Sequence, residues 1–194
     1  MSDDRGGLII SAELFSELLV QFGRRGDGVR ESGAFLLANA DRPNGDATTS
    51  WTTVTAFALY DDLDPRSLTG GITFHAEGYS ALGVICRRDR VRVVGDVHTH
   101  PYDWVGQSLT DSSHPMSALP GHTALIVPWF AKGDLRLDQV GVHTHLGGGR
   151  WRSYYGDEVA AVLRLTGHTL CRRMLRRLRH AAHLIRSAFT SRSP

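Results

Sequence analysis

Cysteine is scarce: only Cys86 and Cys171 occur in 194 residues. Two thiols are too few for a disulfide scaffold or a four-thiolate metal site, and a reducing cytoplasm is the expected compartment. Lysine is almost missing, since Lys132 stands alone among 22 cationic residues. Long apolar runs are missing too. The longest, Ala124 to Ala131 with Pro128 inside it, is far too short to span a bilayer. Asp3 and Asp4 sit where a secretory signal would carry its basic n-region, so no such signal is expected. Neither H-E-x-x-H nor a phosphate-cradling G-x-x-x-x-G-K occurs, which removes two large enzyme classes at once.

What is present is ordinary in bulk. Hydrophobic residues make up 41% and charged residues 22%, as in an average soluble domain. The length admits one domain of usual size plus an appendage. The net charge of +2 hides an asymmetry, because residues 1–156 carry −4 and residues 157–194 carry +6. A mildly acidic body is therefore expected over 1–156, with a basic amphipathic helical tail over 157–194.

Along the body, Ser11 is a plausible N-cap for a helix in which Leu14, Phe15, Leu18, Leu19 and Phe22 share a face. Strands are predicted at Val29 to Leu37 and Trp51 to Leu59, separated by the turn cluster of Asp41, Pro43, Asn44 and Gly45. A helix is predicted over His75 to Cys86, and Val91 to Thr99 reads as a strong strand ended by Pro101. A short helix over Ser108 to Met116 follows, then strands at Thr123 to Phe130, Leu137 to His145 and Trp151 to Tyr155. This order of elements argues for an α/β protein with a mixed sheet flanked by helices.

Chemistry concentrates in Gly95-Asp96-Val97-His98-Thr99-His100-Pro101. Residues i and i+2 of a strand share a face, so His98 and His100 can offer two imidazoles to one ion. Alone, H-x-H is weak; with ten histidines it arises by chance about half the time, and His143-Thr144-His145 is a second example. The sequel gives the first pair its weight. Ser108 and Asp111 complete H-x-H-P-x6-S-x-x-D, whose chance expectation is roughly one in ten thousand. Ser108 and Asp111 lie on one face of a helix start, where the carboxylate can join the two histidines and leave a fourth position to water. Ser108-Leu109-Thr110-Asp111 also spells a capping box, which needs no metal.

This pattern resembles that of the JAMM (MPN) metalloenzymes, including prokaryotic JAB proteins. In that family a glutamate precedes H-x-H, and ten residues separate the second histidine from the aspartate, as His100 and Asp111 are separated here. Glu31-Ser32-Gly33-Ala34-Phe35-Leu36-Leu37 is similar to the family's E-T-G-G-x-L-L-G, with Ala34 and Ala38 replacing glycines. The resemblance covers about residues 10–155 and implies a cytidine-deaminase-like, three-layer α/β/α sandwich. It implies one Zn2+ held by His98, His100 and Asp111, Glu31 as general base, and Ser108 as a hydroxyl that stabilises the tetrahedral intermediate. The implied activity is cleavage of peptide or isopeptide bonds after ubiquitin or ubiquitin-like C-termini. Activating- or conjugating-type proteins encoded nearby are the implied partners.

Several features stay open at this level. Tyr102 and Trp104, between His100 and Asp111, either grip an extended substrate or fold back onto the body. The loop Asp61 to Gly71 is a second candidate rim. His143 and His145 read as strand residues, and His114 and His122 as loop histidines. His75-Ala76-Glu77 imitates the H-x-E of zinc deaminases but lacks their P-C-x-x-C, leaving Cys86 a buried helix residue. From Val159 onward an apolar stripe amid arginines reads as a C-terminal helix that packs on the body, meets a partner protein or contacts an anionic surface. Two other functions compete with the peptidase: a non-catalytic scaffold of the same fold, and a hydrolase of a metabolite adduct on a carrier protein.

Overall fold

The computed structural model describes residues 6–41, 51–69 and 71–167. The arginine-rich stripe beyond residue 167, and Cys171 with it, lie outside the described residues.

The elements are β1 (Leu8–Ser11), α1 (Ala12–Gly26), β2 (Gly33–Asn39), β3 (Thr52–Thr53), β4 (Ala56–Leu59), α2 (Tyr60–Leu63) and α3 (Ala76–Asp89). They continue with β5 (Val91–Thr99), α4 (Leu109–Ser113), β6 (Thr123–Val127), β7 (Gly141–Gly147), β8 (Arg150–Tyr154) and β9 (Leu163–Thr166). Six strands form a mixed sheet in the order β4-β2-β5-β6-β7-β8, and β3-β1-β9 form a small parallel one. Within the larger sheet only β5 and β6 run parallel. The protein is a mixed α/β structure.

Alternation along β2 sorts the core into two layers. Ala34, Leu36 and Ala38 face one way and pack with Phe15, Leu18, Leu19 and Phe22 of α1. Phe35 and Leu37 face the other way, with Tyr60, Leu63, Leu68 and Leu82 of α3. Helix α1 starts as its sequence dictates: the Ser11 hydroxyl accepts from the Leu14 amide at 3.1 Å. The strand β5 lies centrally, paired antiparallel to β2 and parallel to β6, and carries Asp96 and His98 on the α3 side.

Several boundaries differ from expectation. The strand expected from Val29 begins at Gly33, because left-handed Asp27 and Gly28 close a turn that leaves Val29 78% exposed. The strand expected to reach Phe130 ends at Val127, where Pro128 leads into a turn with Trp129, Phe130 and Ala131 all at positive φ. The Leu137 segment opens as a 3-10 turn, and β7 starts only at Gly141. The boundary between body and tail at residue 156 also moves. Gly156–Ala161 is a 3-10 helix and Leu163–Thr166 is β9, paired with β1 from Leu8↔Leu163 to Ser11↔Thr166. Val162 and Leu163 are buried in the α1 layer, so the body includes residues first read as the start of a helical stripe. Among the described residues no helix is long and apolar enough to cross a membrane.

Candidate metal centre

Strand β5 delivers the two imidazoles. His98 and the residue just beyond the strand end, His100, point to the same face, and both are buried. The end is pinned from two sides: the His100 amide donates to Val127 O at 2.8 Å, and the Phe130 amide donates to His100 O at 2.8 Å. The left-handed turn at residues 129–131 thus clamps the strand end where the histidines leave the sheet.

The third group arrives on α4. Ser108 and Asp111 form the full capping box: the Ser108 hydroxyl accepts from the Asp111 amide at 3.1 Å, and Asp111 Oδ2 accepts from the Ser108 amide at 2.8 Å. The box and the metal reading do not compete. The cap aims the carboxylate at the histidines, with Asp111 Oδ1 3.6 Å from His98 Nε2 and Oδ2 3.5 Å from His100 Nε2. The two Nε2 atoms are 3.2 Å apart. Donors held ~2.0–2.1 Å from a tetrahedral ion stand about 3.3–3.4 Å from one another. These side chains could therefore hold a metal ion, and they form the one such cluster found among the described residues.

The surrounding carboxylates favour a positive charge at this point. Burial alone would lower the pKa of His98, but Asp111 and Asp96 outweigh it and push the imidazole up to about 10. Burial would raise Asp111, yet its bonds to His100 and His98 hold it well below the usual carboxylate range. His100 is oriented through its other ring nitrogen, because Nδ1 lies 3.0 Å from Trp104 O. A carbonyl there keeps the proton on Nδ1 and leaves the Nε2 lone pair for an ion.

Glu31 reaches the site by strand register. Gly33 pairs with His98 across β2 and β5, the Ser32 amide donates to Thr99 Oγ1 at 3.0 Å, and the Thr99 amide donates to Ser32 O at 2.9 Å. Extending that register by two residues places Glu31 beside the paired histidines. Gly33 is required here, since a Cβ would fall 2.4 Å from the Tyr60 ring. Half-buried Glu31 has its pKa raised by burial, opposed by His98 and His100 and reinforced by Asp111.

All five residues line one cleft of about 890 Å3, together with Thr69, residues 71–74, Pro101, Tyr102 and Trp104. Trp104 folds back onto the body. One face stacks on His100 at 5.4 Å between centroids and 19° between planes, while the residue stays 55% exposed at the rim. Tyr102 is 73% exposed beside it. Of the second candidate rim, Asp61 to Gly71, the far end at Thr69 and Gly71 lines the cleft, and a Cβ on Gly71 would lie 3.8 Å from Glu31 Oε2.

The decoys resolve plainly. His143 and His145 are in β7 and satisfied by protein: His143 by Ser153 Oγ at 2.8 Å and Val105 O at 2.9 Å, His145 by Leu119 O at 3.4 Å, with its ring against Trp151. His114 lies at the exposed rim of the cleft. Cys86 is half-buried on α3 rather than fully buried. His122 is a loop histidine, as read, just before β6, but it is buried with Nε2 2.6 Å from Asp96 Oδ1. Asp96 itself was not singled out from the sequence. Its signal was its position two residues before His98 on an otherwise valine-rich strand.

No protein-family model matches this chain. Its fold is similar to the solution structure of protein DSY2949 from Desulfitobacterium hafniense, with a TM-score of 0.56, 14% identity, and coverage of 84% of this chain and 95% of that one. It is also similar to the solution structure of a protein from Salinibacter ruber, with a TM-score of 0.50, 20% identity, and coverage of 80% and 90%. Identities this low speak for a shared fold alone.

Proposed function

We propose that this chain is a zinc-dependent peptidase or isopeptidase of the JAMM kind, cleaving an amide after the C-terminus of a ubiquitin-like protein. The observation that carries the reading is the convergence of His98, His100 and Asp111, with the two Nε2 atoms 3.2 Å apart, Asp111 Oδ1 3.6 Å from His98 and Oδ2 3.5 Å from His100, and Glu31 in the same cleft. On this reading the six-stranded sheet, with α1 and α3 on opposite faces, is the cytidine-deaminase-like sandwich.

His98, His100 and Asp111 would hold Zn2+, which supplies the Lewis acidity that makes water nucleophilic near neutral pH. Glu31 accepts the proton of the attacking water at its carboxylate and passes it to the leaving amine nitrogen. Its raised pKa suits both halves of that transfer. The Ser108 hydroxyl already accepts from the Asp111 amide, so its own proton remains to be donated to the developing oxyanion. Outside, Trp104 and Tyr102 offer aromatic surface to an extended chain entering the cleft. Neither lysine nor arginine lines the cleft among the described residues, which favours a neutral amide over a phosphate ester as substrate.

The test pairs elemental analysis with cleavage of ubiquitin-like proteins fused through their C-termini to a fluorescent reporter. About one zinc per chain is expected, with cleavage lost on chelation and restored by zinc. Zinc retained undiminished in a His98→Ala, His100→Ala double variant, or cleavage surviving full chelation, would sink the reading.

A further inference from the structure

Beneath His98 lies a carboxylate that the chemistry above does not use. Asp96 is two residues before His98 on the same face of β5, is 3% exposed, and pairs across the sheet with Phe35 and Ala124. An ionised carboxylate in such a layer is strongly unfavourable unless it is paired. Two buried partners provide that: His122 Nε2 is 2.6 Å from Asp96 Oδ1, and the Tyr60 hydroxyl donates to Oδ2 at 3.2 Å. Both oxygens are thereby fixed. Asp96 Oδ2 stands 3.9 Å from His98 Nδ1, within ion-pair range though longer than a hydrogen bond. That nitrogen is the one turned away from Asp111 and His100.

A carboxylate facing the outer nitrogen of a metal-binding histidine keeps the proton there and frees the inner lone pair. Trp104 O does this for His100. We propose that Asp96, clamped by His122 and Tyr60, is the positioning residue for His98, setting its tautomer and ring orientation for metal binding. The inference rests on His98, His100 and Asp111 being metal ligands. If Asp96 only tied β5 to the chain before β6, its loss would lower stability without changing how the ion is bound.

The experiment measures zinc affinity by competition with a chromophoric chelator, and the visible spectrum of the Co2+-loaded protein. Wild type, Asp96→Asn and His98→Ala are compared, with thermal melts to report folding. Asp96→Asn is expected to fold and to bind zinc about 10–100-fold more weakly, with shifted Co2+ bands. Wild-type affinity and an unchanged spectrum in Asp96→Asn, while His98→Ala loses metal, would overturn this inference and leave the metal centre standing. Wild-type affinity in His98→Ala would overturn the centre itself, and this inference with it. Should Asp96→Asn fail to fold, His122→Leu is measured instead. Zinc binding weakened several-fold there supports the clamp, and unchanged affinity overturns it.

Discussion

The Ser108 amide donates to Asp111 Oδ2 at 2.8 Å, and that same oxygen faces His100 Nε2 at 3.5 Å. One local capping interaction thus orients a carboxylate contributed by a helix of only five residues, Leu109–Ser113. Because the donor to Asp111 is main chain, it survives replacement of the Ser108 side chain.

Ser108→Ala is therefore expected to separate two roles. Loss of the cap costs about 1 kcal/mol of stability, while zinc content holds because the amide still orients Asp111. Turnover should fall about 10²–10³-fold if the hydroxyl serves the oxyanion. Steady-state kinetics beside metal analysis checks this; a variant with full kcat removes Ser108 from the chemistry.

Trp104 acts on His100 twice, through its carbonyl at 3.0 Å and through its stacked ring. Trp104→Ala removes only the ring. Zinc should be retained, while KM for an extended substrate rises about three- to tenfold, the scale of one lost aromatic contact. Trp104→Phe should recover most of that. A large loss of zinc in Trp104→Ala would mean that the ring, not the carbonyl, holds His100 in place.

The cleft lining at residues 71–74 runs directly into a second charged contact. Asp64 Oδ2 lies 2.6 Å from His75 Nδ1 and accepts the His75 amide at 3.0 Å. Burial would raise the Asp64 carboxyl, but these bonds prevail and hold it at about 2 against an ordinary 3.8. A carboxyl whose pKa is depressed by folding contributes stability that is whole above 3.8 and is lost as pH falls through about 2. Asp64→Asn should flatten the acid limb of the melting midpoint across that interval and leave the slope above it unchanged. Equal acid slopes in variant and wild type would show that Asp64 keeps no advantage in its charged form.

Much of this was legible because it is local. The valine-rich run before His98 reads as a strand, Ser11 and Ser108 announce helix starts, and fixed spacing links His100 to Asp111. What could not be read depends on distant pairing. Val162, Leu163 and Leu165 satisfy a helical stripe and a short strand equally, and only the open edge of β1 decides for β9. The left-handed run at 129–131 breaks every residue preference for φ and exists because Tyr102 O and His100 O take the Trp129 and Phe130 amides. His122 and Asp96 are 26 residues apart, and nothing between them signals a buried pair.

Glu31 poses the sharpest test, because it lies 67 residues before His98 in the chain and only the register of β2 on β5 brings them together. A general base must reach the attacking water and need not touch the metal. Glu31→Gln preserves shape and hydrogen-bonding reach but removes the proton acceptor. Zinc content and the melting transition should therefore stay near wild type while turnover falls by about 10²–10⁴-fold. Asp111→Asn should do the reverse, weakening zinc first, since it removes charge from the ligand set. The two variants measured together separate proton transfer from metal retention. If Glu31→Gln cleaves a ubiquitin-like fusion at close to the wild-type rate, the proton is taken elsewhere, and the likeness of residues 31–37 to the family's glutamate segment carries no mechanism.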